Sequence, residues 1–257
     1  MRELAERAYF LLCRALGWLL RSVRYSKARI VYQDGELQVR KHRFFYAPLL
    51  VWMGGPLVRI LDTGVRVLPQ REWEERERRV YRSLRGISIR IDADATLVLP
   101  CLPGETLAFL LEDPELEASV RKWAIQRAVV ALAELHQRGF AHGDAMAENV
   151  LVDRKAGVAH WFDFETIHDS RRPMAWRRAD DVRALLATCL VRTAPGEYAE
   201  TLQLILDAYP DQEATGLLAT SFTSVLRRPL TFHLAQAGLS FPCFREIARL
   251  LSERLDG

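Results

Sequence analysis

Apolar and polar positions change rhythm several times along the chain, and each change marks an element. Over residues 3–24, Tyr9, Leu12, Leu16, Leu19, Leu20 and Val23 populate one side of a helical wheel. Arg7, Arg14, Arg21 and Arg24 fall near the other, which predicts an amphipathic helix. Two short alternating stretches follow, Arg29–Tyr32 and Glu36–His42, joined at Asp34-Gly35, a dipeptide suited to a tight hairpin turn. Phe44–Leu61 is apolar and rich in breakers, and reads as a loop with short helical pieces. Residues 70–85 contain neither Gly nor Pro and read as a charged helix ending at Gly86. Strand patterns recur at Ile87–Ile91 and Thr96–Leu99, and then Pro100-Cys101-Leu102-Pro103-Gly104 punctuates the chain.

Beyond that point the pattern is mostly helical. Asp113-Pro114 predicts a helix start, a capping side chain followed by a proline that misses no amide bond, with the helix running to Gln137. Two strand patterns, Val150–Val152 and Val158–Phe162, interrupt before three or four further helices. Strands first and helices last predict an α+β protein of two unequal lobes. The expected division is an amphipathic N-terminal helix (1–28), a small β-rich N-terminal lobe (29–102) and a larger helical C-terminal lobe (103–257).

Composition narrows the function classes. The 257 residues are 49% apolar and 27% charged, enough to bury a core in each lobe and unlike a disordered chain. Thirty-six basic and 33 acidic residues leave +3, too close to balance to point to nucleic acid. Cys13, Cys101, Cys189 and Cys243 are scattered with no C-x-x-C pair, so neither a thiolate metal site nor a disulfide framework is expected, and the cytoplasm is the expected compartment. Charged residues Arg2, Glu3, Glu6, Arg7 and Arg14 interrupt the start, so no secretory signal is expected. The longest uncharged run, Phe44–Val58, is too short and too broken to span a bilayer as a helix. The arginine-rich and leucine-rich faces of the first helix leave two readings open: peripheral contact with an anionic membrane, or packing on the small lobe.

The most informative stretch is His142-Gly143-Asp144-Ala145-Met146-Ala147-Glu148-Asn149, followed fourteen residues later by Asp163-Phe164-Glu165. Phosphoryl transfer from Mg-ATP needs a carboxylate to orient the acceptor hydroxyl, and an amide and a second carboxylate to give Mg²⁺ hard oxygen ligands. Asp144, Asn149 and Asp163 have that composition and spacing. Lys41 is the only lysine between residues 28 and 121 and lies on a predicted strand. Its neighbour Arg40 faces the nucleotide instead if the strand register is shifted by one.

The pattern resembles the catalytic loop and metal-binding motif of the protein-kinase-like superfamily, H-x-D-x-x-x-x-N followed by D-F-G. The resemblance covers roughly residues 29–190. It implies a two-lobed fold, ATP and Mg²⁺ as cofactors, and a hydroxyl acceptor. By the same resemblance Glu77 pairs with the phosphate-contacting lysine, Leu99 and Cys101 lie at the adenine-binding hinge, His142 packs beside the catalytic loop and Asp181 braces it from below. Several residues depart from the pattern. There is no glycine between Gly17 and Gly35 to form a phosphate-covering loop, Gly143 and Met146 replace the usual arginine and lysine, and Glu165 replaces the glycine of D-F-G. No A-P-E follows, and Asp163 to Asp181 spans only eighteen residues. These departures look most like the lipopolysaccharide core-sugar kinases, whose implied acceptor is a lipopolysaccharide precursor at the inner membrane surface. A small RIO-type protein kinase and a catalytically weak pseudokinase remain as alternatives.

Overall fold

The computed structural model describes residues 2–22, 26–33, 35–44, 46–47, 64–221 and 238–256. Helix α1 (Arg2–Ser22) leads into the antiparallel hairpin of β1 (Ser26–Gln33) and β2 (Glu36–Arg43). Gly35 turns the hairpin at φ +84°, a conformation that favours glycine. After β3 (Val65–Val67) comes α2 (Gln70–Arg85), which buries Trp73, Arg76, Glu77, Val80 and Tyr81, the i, i+3, i+4, i+7, i+8 stripe of an amphipathic helix. Gly86, in the left-handed conformation, ends it by donating its amide to Arg82 O. Strands β4 (Arg90–Ile91) and β5 (Leu97–Pro100) complete a four-stranded antiparallel sheet in the order β1-β2-β5-β4.

The C-terminal part is helical. Strand β6 (Glu105–Thr106) opens α3 (Leu107–Glu112), whose first turn is capped by the Thr106 hydroxyl accepting from Phe109 N at 3.2 Å. Helix α4 (Ala118–Gln137) is followed by a single 3₁₀ turn at Ala147–Asn149, then β7 (Val150–Asp153) and β8 (Val158–Trp161), which join β6 in a three-stranded sheet. Strand β9 (Thr166–His168), α5 (Met174–Leu190), α6 (Tyr198–Ala208), α7 (Gln212–Ser221) and α8 (Phe241–Asp256) follow. Every residue of α5 from Ala179 to Leu190 is buried, so this helix runs through the middle of the C-terminal core. The architecture is thus mixed α/β, with a β-rich N-terminal region and a helical C-terminal one.

Several expectations change. Asp113-Pro114 does not start a helix. Asp113 closes α3 and its carboxylate accepts from Glu115 N at 2.9 Å, and α4 begins only at Ala118. The strand expected at Ile87–Ile91 is reduced to Arg90–Ile91. Among the described side chains of helix α1, Leu4, Leu11 and Leu12 are exposed and Phe10 packs on α8, with ring centroids 5.7 Å from Phe241 and 5.8 Å from Phe244. The side chains of Leu16, Leu19 and Leu20 lie outside the described residues. Most of Phe44–Leu61, with Phe45 and Trp52, lies outside the described residues.

A second sheet ties the two regions together. Strand β3 pairs antiparallel with β9, Val65 opposite His168 and Val67 opposite Thr166. Main-chain bonds extend this ladder at both ends, from Asp169 N to Gly64 O at 2.7 Å and from Leu68 N to Glu165 O at 2.8 Å. The segment entering α2 is therefore fixed directly to the segment that follows Asp163.

Candidate active site

Strand register decides which cation of β2 faces inward. Arg40 lies on the outer face and pairs with Asp92 at 2.6 Å, whereas Lys41 is 5% exposed and turns into the protein. The Lys41 ammonium is hydrogen-bonded to Asp163, with Glu165 at 3.6 Å and Glu77 at 4.0 Å. It also lies over the Trp73 ring, 5.1 Å from its centroid. Burial alone would lower its pKa, but Asp163, Glu165 and Glu77 outweigh that and hold the ammonium above its ordinary value.

Glu77 is completely buried. Its Oε1 accepts from Trp73 Nε1 and from Phe164 N, each at 3.1 Å, and its Oε2 has no hydrogen-bond partner. Burial is the main reason its carboxyl titrates high, against which the Lys41 charge pulls it down. Arg43, two residues beyond Lys41 on the same face, also lies over Trp73, 4.7 Å from the ring centroid, and donates to Leu68 O. Its Nε and one Nη are buried without a partner.

The residues of the 142–149 loop converge from the other side. Asn149 Nδ2 donates to Asp144 O at 2.8 Å and to Asp144 Oδ2 at 2.9 Å, which leaves the Asn149 carbonyl oxygen uncommitted to that pair. Burial, then the nearby Asp163 charge, pushes the Asp144 carboxyl up to about 7. Asp163 adopts φ +68°, a left-handed conformation that costs a non-glycine residue on the order of 1–3 kcal/mol. That backbone turn lets its carboxylate reach Lys41 while Phe164 points into the core.

Below the loop, Asp181 of α5 accepts from His142 N at 2.6 Å, Gly143 N at 2.8 Å and His136 Nε2 at 2.9 Å. Together with the neighbouring His168, these partners hold its carboxyl well below the usual range in spite of burial. His142 is wholly buried between Trp161 and Phe164, with ring centroids 5.1 and 4.7 Å away. Its Nε2 bonds Phe162 O at 2.9 Å and its Nδ1 accepts from Asp144 N at 3.3 Å, which fixes the neutral tautomer; burial lowers its pKa to about 4.

Leu99 and Cys101 lie where β5 leaves the sheet. Leu99 is buried opposite Val39, and Cys101 donates its amide to Leu37 O at 3.2 Å. The hairpin turn at Gly35 stands at this hinge end, since Gln33 pairs Glu36 and Ser26 pairs Arg43. Ala28 is the β1 residue opposite Lys41, and Ser26, opposite Arg43, donates its hydroxyl to Glu165 Oε2 at 3.2 Å.

Sequence reasoning missed two contributors. Ser26 carries no motif. Arg76 sits inside a run of charges that looks solvated, yet it is 5% exposed and donates to the main-chain carbonyls of Ala141 and His142. Its neighbours Glu72 and Glu75 lie off the buried stripe, so only the 3.6-residue period separates the buried charges from the solvated ones. Among the described residues no group of three His, Cys, Asp or Glu is arranged to hold a metal unaided.

No family model matches the chain, and no curated protein matches it. Among solved structures it is similar to a MAP kinase from Leishmania major, at 15% identity, 92% of this chain, 81% of that chain and a TM-score of 0.37.

Proposed function

We propose that the protein is a Mg-ATP-dependent phosphotransferase with an alcohol acceptor, and that the acceptor is a sugar hydroxyl of a lipopolysaccharide precursor at the inner membrane surface. The observation that carries the phosphotransferase reading is that buried Lys41 and Glu77 meet the part-exposed Asp163, whose charge also acts on Asp144 of the Asp144–Asn149 pair. Mg-ATP, when bound, supplies the γ-phosphoryl group and a leaving ADP whose charge the metal offsets.

The residues fit that ligand. The Asn149 carbonyl oxygen and the Asp163 carboxylate are two hard oxygens, too few for an octahedral Mg²⁺ by themselves, which leaves positions for phosphate oxygens and water. Lys41 binds the α- and β-phosphates. Asp163 would help hold the metal, and Glu77, with Oε1 4.0 Å from the ammonium, would keep Lys41 paired and charged. Asp144, with a carboxyl near 7, is matched to orienting the acceptor hydroxyl and receiving its proton at neutral pH. Leu99 offers an apolar wall to the base, and Cys101 its carbonyl.

The acceptor rests on weaker ground, the N-terminal resemblance carried by Val39-Arg40-Lys41-His42-Arg43 and the apolar aromatic stretch that follows. The eighteen residues from Asp163 to Asp181 also favour a small acceptor over a peptide, because β9 already spends an edge on β3. The test is transfer from γ-labelled ATP in the presence of lipopolysaccharide precursors. Label in the lipid-sugar fraction, abolished by Asp144→Ala, is expected. Label only in protein favours the RIO-like reading. Retained ATP binding with no transfer favours the pseudokinase.

A further inference from the structure

Helix α1 presents two apolar faces. One is spent inside the protein: Phe10 is 1% exposed against Phe241 and Phe244 of α8, and Cys13, one turn on, is fully buried. The other is bare. Leu4 is 74% exposed, Leu11 56% and Leu12 54%, with exposed Ala8 and Ala15 among them. At about 100° per residue these five positions occupy an arc of about 100°, centred roughly opposite Phe10 and Cys13. Among the described residues nothing covers this stripe, which lies on the far side of a packed helix.

Charge identifies what it meets. Arg7 and Arg14, two helical turns apart and both exposed, form a column along one edge of the stripe, about 40–60° from Leu11. Among the described residues no acidic side chain lies on the exposed arc, and Glu6 is on the packed side. A leucine face bordered by arginines suits an interface of acyl chains below anionic headgroups, with the arginine stems lying on the apolar layer and the guanidinium groups reaching phosphate. No helix among the described residues is long and apolar enough to cross a membrane, so α1 lies along the surface.

We propose that the Leu4–Leu11–Leu12 face of α1 docks the protein on an anionic phospholipid bilayer while Phe10 keeps the helix clamped to α8. The inference does not depend on the nucleotide site.

It is tested with the full chain and sedimenting vesicles, phosphatidylcholine alone or mixed with phosphatidylglycerol. The wild type is expected to sediment with the mixed vesicles at low salt and to be released by added salt. The triple variant Leu4→Gln/Leu11→Gln/Leu12→Gln changes only exposed positions, so its thermal midpoint should match wild type while its vesicle affinity falls at least tenfold. Arg7→Gln/Arg14→Gln should lose the preference for the anionic mixture. Light scattering of the free protein covers the other occupant, a second copy. The proposal is overturned if the wild type ignores anionic vesicles, if the glutamine triple binds them equally well, or if the leucines instead hold a stable dimer.

Discussion

Asp163 carries the geometry of the site in one residue: its left-handed backbone sends the carboxylate to Lys41 and the next ring, Phe164, onto His142 and Tyr81. The inward lysine gives a direct contrast. On the proposed phosphotransferase reading, Lys41→Met should lower kcat/KM by about 10²-fold or more, because a charge-assisted phosphate contact would be lost, whereas Arg40→Met should stay within about threefold of wild type. The reverse order would mean the strand faces the other way. His142 supplies a pH signature. Its folded-state pKa of about 4 lies below the ordinary 6.5, so the unfolded chain takes up the proton first. Stability from this group is complete above about pH 6.5 and declines toward about pH 4, by about 1.5 kcal/mol between pH 6.5 and 5. Asp181, whose carboxyl is held low, adds its loss only below the ordinary carboxylate range, so the windows separate. Asp144, whose folded carboxyl near 7 lies above its ordinary value, contributes the opposite slope over the same window. His142 is therefore read from urea unfolding across roughly pH 5–7.5 as the difference between wild type and His142→Gln: stability gained with rising pH in wild type that the variant lacks. The Asp144–Asn149–Asp163 set was legible because its chemistry lies in sequence spacing. The choice between Lys41 and Arg40 was not, because adjacent strand residues differ only in the side they face.

At the scale of elements, the β3–β9 ladder is the feature with most consequence, since it fixes the entry to the Glu77 helix against the strand after Asp163. Its end is tight. Gly64 adopts φ +72°, and a Cβ there would collide with Cη2 of Trp176. Gly35, at φ +84°, has nothing within 4 Å of such an atom. Gly35→Ala should therefore cost about 1 kcal/mol, the conformational term alone, and Gly64→Ala about 2–4 kcal/mol, since the ring must also move. Denaturant midpoints of the two variants measure the difference, and equal losses would mean the Trp176 contact is loose. Three-residue strands such as β3 and β9 give no period to read, which is why sequence patterning showed neither. Helix α2 was legible from end to end, from an unbroken run closed by Gly86. Asp113-Pro114 misled because an Asx turn and a helix N-cap use the same carboxylate-to-amide bond, here made to Glu115.

Among the described residues one contiguous buried core runs from Phe10 through Leu97 and α5 to Leu251, so both terminal helices are packed into one body. The broad plan, strands early and helices late, was readable from breakers and periodicity. The clamp of α1 on α8 was not, because contacts between residues more than two hundred positions apart leave no local pattern. The central claim is that this body organises a Mg-nucleotide site around Asp163, and calorimetric titration of ATP tests it most directly. Binding to the wild type should require Mg²⁺. Asp163→Asn should weaken it at least tenfold, with the thermal midpoint within a few degrees of wild type. ATP binding indifferent to both Mg²⁺ and Asp163, or no ATP binding by the folded wild type, would contradict the account.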